Sequence, residues 1–153
     1  PFLQGVLNLT GIQTQAKSTD PIPDAIYKAA KAVRVTGRAV PNIVVMHPTD
    51  WQSIRLLKTG EGVYIWGNPA EAGPETIWGM RVVQCDAFTA SGTAVVGDFA
   101  NHCFLGLRRG VEVQVTNAHE DYFVKGKQCI RADLRAVMVW LRPAAFCKVT
   151  GLS

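Results

Sequence analysis

The sequence contains no long hydrophobic run and no secretory leader pattern. Its longest unbroken apolar stretch is six residues, Ala136 to Leu141, whereas roughly 20 are needed to span a bilayer. The first residues, PFLQGVLNLTG, lack the basic region and apolar block of a signal peptide. We therefore predict no membrane contact. Because the chain begins at Pro1 and not at a methionine, we interpret it as a fragment or a processed product.

Cysteine is scarce and widely spaced. No two of the four cysteines are closer than 18 residues, and they stand at Cys85, Cys103, Cys129 and Cys147. This spacing excludes CxxC knuckles and zinc-finger patterns. His102 directly precedes Cys103, so the two side chains would point to opposite faces of a strand, away from a shared metal. We predict no metal, no cofactor, and buried thiols that stay reduced.

Catalytic signatures are missing as well. Gly60 and Gly62, with Gly67 beyond them, do not form a phosphate-binding loop, because no Gly-Lys-Ser/Thr follows. Glu120 and Asp121 precede a strand, where neighbouring acids usually form a solvated turn. We find no candidate catalytic residue and expect that the chain is not an enzyme. A small α+β enzyme remains as a disfavoured alternative.

The basic residues are concentrated near the end of the chain. Residues 122–153 contain one acid, Asp133, and six basic residues: Lys125, Lys127, Arg131, Arg135, Arg142 and Lys148. Such a segment can contact nucleic acid, contact an acidic neighbour, or form a solvated face. A free-standing DNA-binding module is disfavoured, because neither a recognition helix nor an aromatic stacking platform accompanies the charges.

Strict alternation marks the stretch KGKQCIRADLRAVMVWLRP, residues 125–143. Even-numbered positions from Ile130 to Trp140 are apolar, while the other face begins with Arg131, Asp133 and Arg135. A period of two predicts a long strand, because successive side chains on a strand point to opposite faces. The following AAFCKV is predicted to pair behind this strand.

The rest of the chain mixes helical and strand periodicities. A helix that ends at Gly37 is predicted from an apolar stripe of Ile22, Ala25, Ile26, Ala29, Ala30 and Val33. A second helix is predicted over 47–58, with three residues facing inward: Trp51, Ile54 and Leu57. A glycine-rich loop over 59–75 separates the helices from the later strands. Strands are predicted at 41–46, 77–84, 93–98, 102–108 and 111–116.

These elements indicate an α+β fold. We predict a mixed, largely antiparallel sheet flanked by two helices, with a long C-terminal strand pair.

Four segments of the sequence follow one another in an order that is characteristic of one protein family. They are VVMHPTDWQSIRLLKTGEGVYIWGNP, IWGMRVV, GTAVVGDF and VEVQVTNAHEDYFVKGKQCIRADLRAVMVWLRPAAF. In this order they resemble the major capsid proteins of tailed bacteriophages or prophages with the Hong Kong 97 fold. The opening FLQGVLNLTGIQT is similar to the entry into the same region, and Arg81 stands where the family usually has proline. The resemblance covers nearly the whole chain.

The resemblance implies a structural protein and the C-terminal half of its subunit. It assigns 1–16 to an entry segment, 17–118 to the axial domain and 119–153 to strands returning to the peripheral domain. The implied function is a self-assembling subunit of an icosahedral head, whose hexamers and pentamers enclose double-stranded DNA. The alternative is an encapsulin-like shell around an enzyme cargo.

The implied partners are other copies of the subunit, scaffold, portal and decoration proteins, and packaged DNA that is contacted non-specifically. The implied location is the virion, after assembly in the bacterial host cytoplasm.

A shell subunit needs contact surfaces, and in this family it can also carry a cross-linking site. We expect inter-subunit contacts at two groups of residues: Tyr64, Ile65 and Trp66, and Arg131, Asp133 and Arg135. For the first group, packing onto the core of the same subunit remains an alternative. For the second group, the alternative is pairing within the subunit. Some family members join subunits by isopeptide bonds to an asparagine, and Gly126 occupies that position here. Because glycine has no side-chain amide, no cross-link is expected.

Overall fold

The structure is a computed structural model that describes residues 4–66, 73–87 and 92–152. Three helices lie in these ranges: α1 (Ile22–Val35), α2 (Pro48–Arg55) and α3 (Phe99–His102). The strands there are β1 (Gln13–Ala16), β2 (Ile43–Met46), β3 (Thr76–Ile77), β4 (Met80–Gln84), β5 (Thr93–Gly97), β6 (Cys103–Thr116), β7 (Cys129–Trp140) and β8 (Phe146–Thr150). Single 3₁₀ turns are formed by Val6–Asn8 and Pro143–Ala145.

The chain divides into two compact units, which are described separately. One, called the sheet unit, comprises Pro1–Cys103 and Trp140–Ser153. The other, called the ribbon unit, comprises Phe104–Val139.

A six-stranded mixed sheet is the framework of the sheet unit. Its strand order is β1-β8-β5-β2-β4-β3. The β1–β8 and β2–β4 pairs are parallel, and the other three neighbouring pairs are antiparallel. The predicted α+β class with a mixed, largely antiparallel sheet is confirmed.

Helix α1 forms where the sequence predicted it. Pro21 precedes the first turn, which contains Asp24, and Arg34 lies in the last turn. The charge at each end therefore interacts favourably with the helix dipole. The predicted stripe is buried at Ala25, Ile26, Ala29, Ala30 and Val33, whereas Ile22 is partly buried. Spacings of three and four place these residues on one side of the helix, against the sheet.

The strand register places the apolar residues of the central strands on one face. Val44 lies opposite Val82 on one side and Val96 on the other, and Val96 in turn lies opposite Cys147. All four are at most 4% exposed and belong to the core cluster that includes the buried side of α1. Burial of one such valine contributes about 1.5–3 kcal/mol, so this layer is a major source of stability.

Helix α2 is shorter than the sequence predicted. The ring nitrogen Nδ1 of His47 accepts a hydrogen bond from the Thr49 amide at 3.2 Å and caps the first turn. The helix ends at Arg55, and the Leu57 amide then donates to the Ile54 carbonyl in a tighter turn. The prediction that Leu57 faces inward is wrong, because this turn leaves its side chain 36% exposed.

Three predictions about the later strands are also wrong. The predicted strand 77–84 is a hairpin of β3 and β4, because the chain turns at Trp78 and Gly79. Residues 103–116 form one continuous strand, not two, because Gly110 stays within β6 and does not open a turn. The segment AAFCKV does not pair behind the long strand. A 3₁₀ turn at Pro143–Ala145 redirects the chain, and β8 lies between β1 and β5 in the six-stranded sheet.

Candidate subunit-contact surfaces

The ribbon unit is built on the pairing of β6 with β7 in a two-stranded sheet. An Arg131 guanidinium nitrogen donates to the Gln114 side-chain oxygen at 3.0 Å, so these two residues lie on the same face. A methyl group built on Gly106 would lie 3.5 Å from the Val137 side chain, which places these two on that face as well. Even-numbered residues of β6 therefore share one face with odd-numbered residues of β7.

The opposite face of the ribbon unit is largely apolar and exposed, and Arg109 is the only charged residue of β6 and β7 on it. It carries Leu105, Leu107, Val111, Val113, Val115, Ile130, Leu134 and Met138. Each of these side chains is between 45% and 71% exposed. A two-stranded sheet is marginally stable by itself, and contiguous exposed apolar patches mark interaction surfaces. This face therefore has the character of an interaction surface.

The charged triplet lies on the polar face of the ribbon. Arg131 pairs with Asp133 at 2.9 Å, and their side chains are 63% and 39% exposed. Arg135 is also exposed, and the described residues give it no carboxylate within ion-pair distance. An exposed ion pair contributes only about 0–1 kcal/mol, so the Arg131–Asp133 pair is not needed for folding.

The three apolar residues of the predicted loop behave differently from one another. Residues 58–66 form a small hairpin, in which Lys58 bridges to Tyr64 and the Lys58 ammonium lies 4.6 Å from the Tyr64 ring centroid. Trp66 is partly buried against the core of the sheet unit, and its carbonyl accepts a hydrogen bond from Arg55 at 2.9 Å. Ile65 is 57% exposed. Within this hairpin, Trp66 is an anchor and Ile65 is available for contact, while residues 67–72 of the predicted loop lie outside the described residues.

Gly126 lies in the turns that connect the two ribbon strands. Its φ is +62°, a left-handed conformation that glycine adopts without strain. Its amide donates to the Phe123 carbonyl at 3.3 Å, and the preceding Lys125 pairs with Asp121. A methyl group built on Gly126 would meet no atom within 4 Å, so the position is open to solvent.

Comparisons with known proteins agree with this architecture. Residues 1–151 match the model of the phage capsid family. The chain is 35% identical over 145 residues to the major capsid protein of Enterobacteria phage HK97, which covers 94% of this chain and 35% of that protein. The chain belongs to the phage capsid family.

Solved structures of capsids share the fold at low sequence identity. The capsid of a native GTA particle has a TM-score of 0.74 at 18% identity, covering 97% of this chain and 55% of that one. The solved chain from Mycobacterium phage Ogopogo has a TM-score of 0.69 at 16% identity, and the match covers 96% of this chain and 55% of that one. A virus-like particle from Pyrococcus furiosus has a TM-score of 0.68 at 10% identity, and the match covers 94% of this chain and 58% of that one. The chain thus spans about a third of its curated relative and about half of these solved chains.

Two buried carboxylates of this phage capsid family member were given no role from the sequence. Asp50, only 2% exposed, accepts hydrogen bonds from the Gly92 amide at 3.0 and 2.8 Å. Asp98, 3% exposed, caps α3 by accepting from the Asn101 amide at 3.2 Å and also accepts from Asn42. Both lie in segments that carry the family resemblance, Asp50 in VVMHPTDWQSIRLLKTGEGVYIWGNP and Asp98 in GTAVVGDF.

The cysteines show no catalytic or metal-binding arrangement among the described residues. Burial raises the pKa of the Cys147 thiol from 9.0 to about 11, which disfavours the nucleophilic thiolate. Burial, and then the Asp98 charge, raise the pKa of Cys103. All four cysteines are free thiols, but only Cys147 is fully buried, and the others are half-buried. No three His, Cys, Asp or Glu side chains in 4–66, 73–87 and 92–152 converge as metal ligands.

The helices give no indication of a membrane span. None of those in the described part of the chain is both long enough and apolar enough to cross a bilayer.

Proposed function

We propose that this chain is the C-terminal part of a structural subunit that assembles into an icosahedral phage head around double-stranded DNA. Family membership gives the class of protein, and its relatives are capsid and particle proteins. The observation that carries the assembly role is the exposed apolar face of the ribbon unit, which a lone copy of the described residues leaves uncovered. Family membership supports a structural, non-enzymatic role.

The ribbon unit and the sheet unit have separate roles in this proposal. We assign the sheet unit to the axial domain, which meets its copies around the five-fold and six-fold axes. We assign the ribbon unit to the peripheral domain. The family resemblance implied an entry segment over 1–16, an axial domain over 17–118 and returning strands over 119–153. The compact units divide at Cys103 and Trp140, and we place the proposed boundary between the two domains there.

Several finer parts of the proposal concern partners. Scaffold, portal and decoration proteins are expected around such a shell, and assembly is expected in the bacterial host cytoplasm. Arg131, Asp133 and Arg135 are proposed to pair with a neighbouring subunit. Their exposure supports this role, because charges at a polar rim adjust register and association rate more than folding stability.

A phage head is favoured over a cargo-storing shell. The relative at 35% identity is a phage major capsid protein, and this match supports a head subunit.

The assembly role is tested by two adjacent substitutions that lie on opposite faces of β6. Val113→Asp places a charge on the apolar face, and Gln114→Asp places the same charge beside Arg131 on the polar face. In the subunit that carries this chain, Val113→Asp should abolish shells seen by electron microscopy. Gln114→Asp adds an acid beside the proposed Arg131 contact and should lower the shell yield far less than Val113→Asp does. Shells of normal yield from Val113→Asp would contradict the proposal.

A further inference from the structure

The turn between β3 and β4 holds a tryptophan in a conformation that tryptophan disfavours. Ile77 and Met80 close the hairpin, and the two residues between them have positive φ, +51° at Trp78 and +75° at Gly79. Such two-residue turns favour Asn-Gly. A bulky residue at positive φ is an outlier and tends to persist at functional positions.

Burial does not explain why this residue is a tryptophan. Its side chain is 52% exposed and lies against Tyr27, itself 57% exposed, with ring centroids 5.1 Å apart. The indole nitrogen donates to the Pro23 carbonyl at 2.9 Å, which fixes the ring at the start of α1. The two rings form an exposed aromatic platform with a fixed orientation.

Grooves of opposite charge lie beside this platform. One, of about 410 Å³, is lined by Ala30, Lys31, Arg34, Val35 and Met80 together with the two rings. In the described part of the chain, neither Lys31 nor Arg34 has a carboxylate within ion-pair distance. A second groove is lined by Asp20 and Asp24, and Lys28 there pairs with Asp20. The neighbouring carboxylates would repel the phosphates of a nucleic acid. The surface therefore suits a protein segment with apolar side chains and one or two acids.

The hairpin at 58–66 has the complementary character. Val63 and Ile65 are 61% and 57% exposed, and Glu61 is the only acid in this segment. The described residues offer Glu61 no basic partner within ion-pair distance. The hairpin is internally fixed, since the Thr59 amide donates to the Val63 carbonyl at 2.8 Å and Trp66 is anchored in the core.

We propose that the groove beside Tyr27 and Trp78 receives the 58–66 hairpin of a second copy of this chain, with Glu61 paired to Lys31 and Arg34. Unlike patches joined head to tail generate a closed ring when the rotation closes, which is the geometry a hexamer or pentamer requires. This inference rests on the proposed shell function and names the contact that would join neighbouring subunits within one ring.

Charge reversal tests the pairing in the subunit that carries this chain. The double variant Lys31→Glu/Arg34→Glu, and separately Glu61→Lys, should each lower the yield of rings and shells on the order of tenfold or more, because like charges then meet across the contact. Combining all three changes should restore assembly. Equal yields from the wild type and every variant, or no restoration in the combination, would overturn the inference.

The substitution Trp78→Asn separates a contact role from a structural one. Asparagine suits the turn, so the thermal midpoint of the unassembled subunit should change by less than about 5 °C while assembly falls. A large loss of stability, or unchanged assembly, would count against the platform.

Photocross-linking identifies the occupant directly. A benzophenone amino acid at Val35, on the rim of the groove, should form a cross-link to residues 58–66 of a second copy. A different isotope label on that copy distinguishes this cross-link from one within a single chain. A cross-link to any other peptide would contradict the proposal. Failure of the shell function itself is recognised separately, because the wild-type subunit would then form no particles and this inference would fall with it.

Discussion

A single buried carboxylate secures the connection between α2 and β5. Both oxygens of Asp50 lie within 3.0 Å of the Gly92 amide, and the side chain is 2% exposed. Removing the acceptor would leave a buried donor unsatisfied. We expect Asp50→Ala to lower the free energy of unfolding by about 1.5–3 kcal/mol, measured by urea denaturation. Asp50→Asn retains one acceptor oxygen and is the matched control, and an equal loss in both variants would assign the effect to charge.

The thiol of Cys147 gives the sheet unit a defined response to alkaline pH. Because burial raises the pKa of this thiol from 9.0 to about 11, the folded state disfavours the thiolate relative to the unfolded state. The resulting stability is fully present below pH 9 and is lost as the pH rises through 11. Wild type should therefore lose more stability over this interval than Cys147→Ala in parallel urea titrations. Identical slopes would show that the thiol does not titrate as described.

The 58–66 hairpin contains an anchor next to an exposed contact residue. Trp66 packs on the core, so Trp66→Ala should lower the thermal stability of the unassembled protein. Ile65 is 57% exposed, so Ile65→Ala should leave that stability nearly unchanged and reduce shell yield. Calorimetry and electron microscopy on the same two variants distinguish the roles. The reverse pattern would mean that Ile65 supports the fold and Trp66 the contact.

The elements differ in how fully the sequence determined them. Helix α1 was predictable because its burial follows one helical period between clear start and stop signals. Gly110 was misread because glycine marks turns in general, yet here it remains in an extended strand. The destination of β8 was not predictable from local pattern, since an apolar strand fits any partner and only the turn at Pro143–Ala145 directs it away from β7.

The contact residues of the ribbon unit were only partly predictable from the sequence. Alternation correctly placed Arg131 and Asp133 on one face of a strand, and their pairing follows from that spacing. The exposure of the apolar face could not be inferred, because an alternating pattern is the same whether the cover belongs to the chain or to a partner. The Trp78 platform was missed because a strained turn is visible only in the backbone angles.

At the scale of the whole particle, we expect shells held together without covalent links. Gly126 provides no side-chain amide for a lysine to attack. Mature particles boiled in detergent should therefore give one monomer band on a denaturing gel. A ladder that survives reductant would reveal another acceptor. A ladder that collapses with reductant would implicate the cysteines and contradict the reduced-thiol prediction.

The position of β8 has a consequence for synthesis on the ribosome. This strand is translated after the other seven strands described here, yet it lies between β1 and β5 and pairs residues as distant as Gln13 and Cys147. Pairing across such long sequence separations must await the late segment, which makes folding slow. Nascent chains stalled before Phe146 emerges should thus remain sensitive to protease, and chains released after Thr150 should become resistant. In the proposed shell, a chain that ends before β8 would thus be degraded before it could be incorporated.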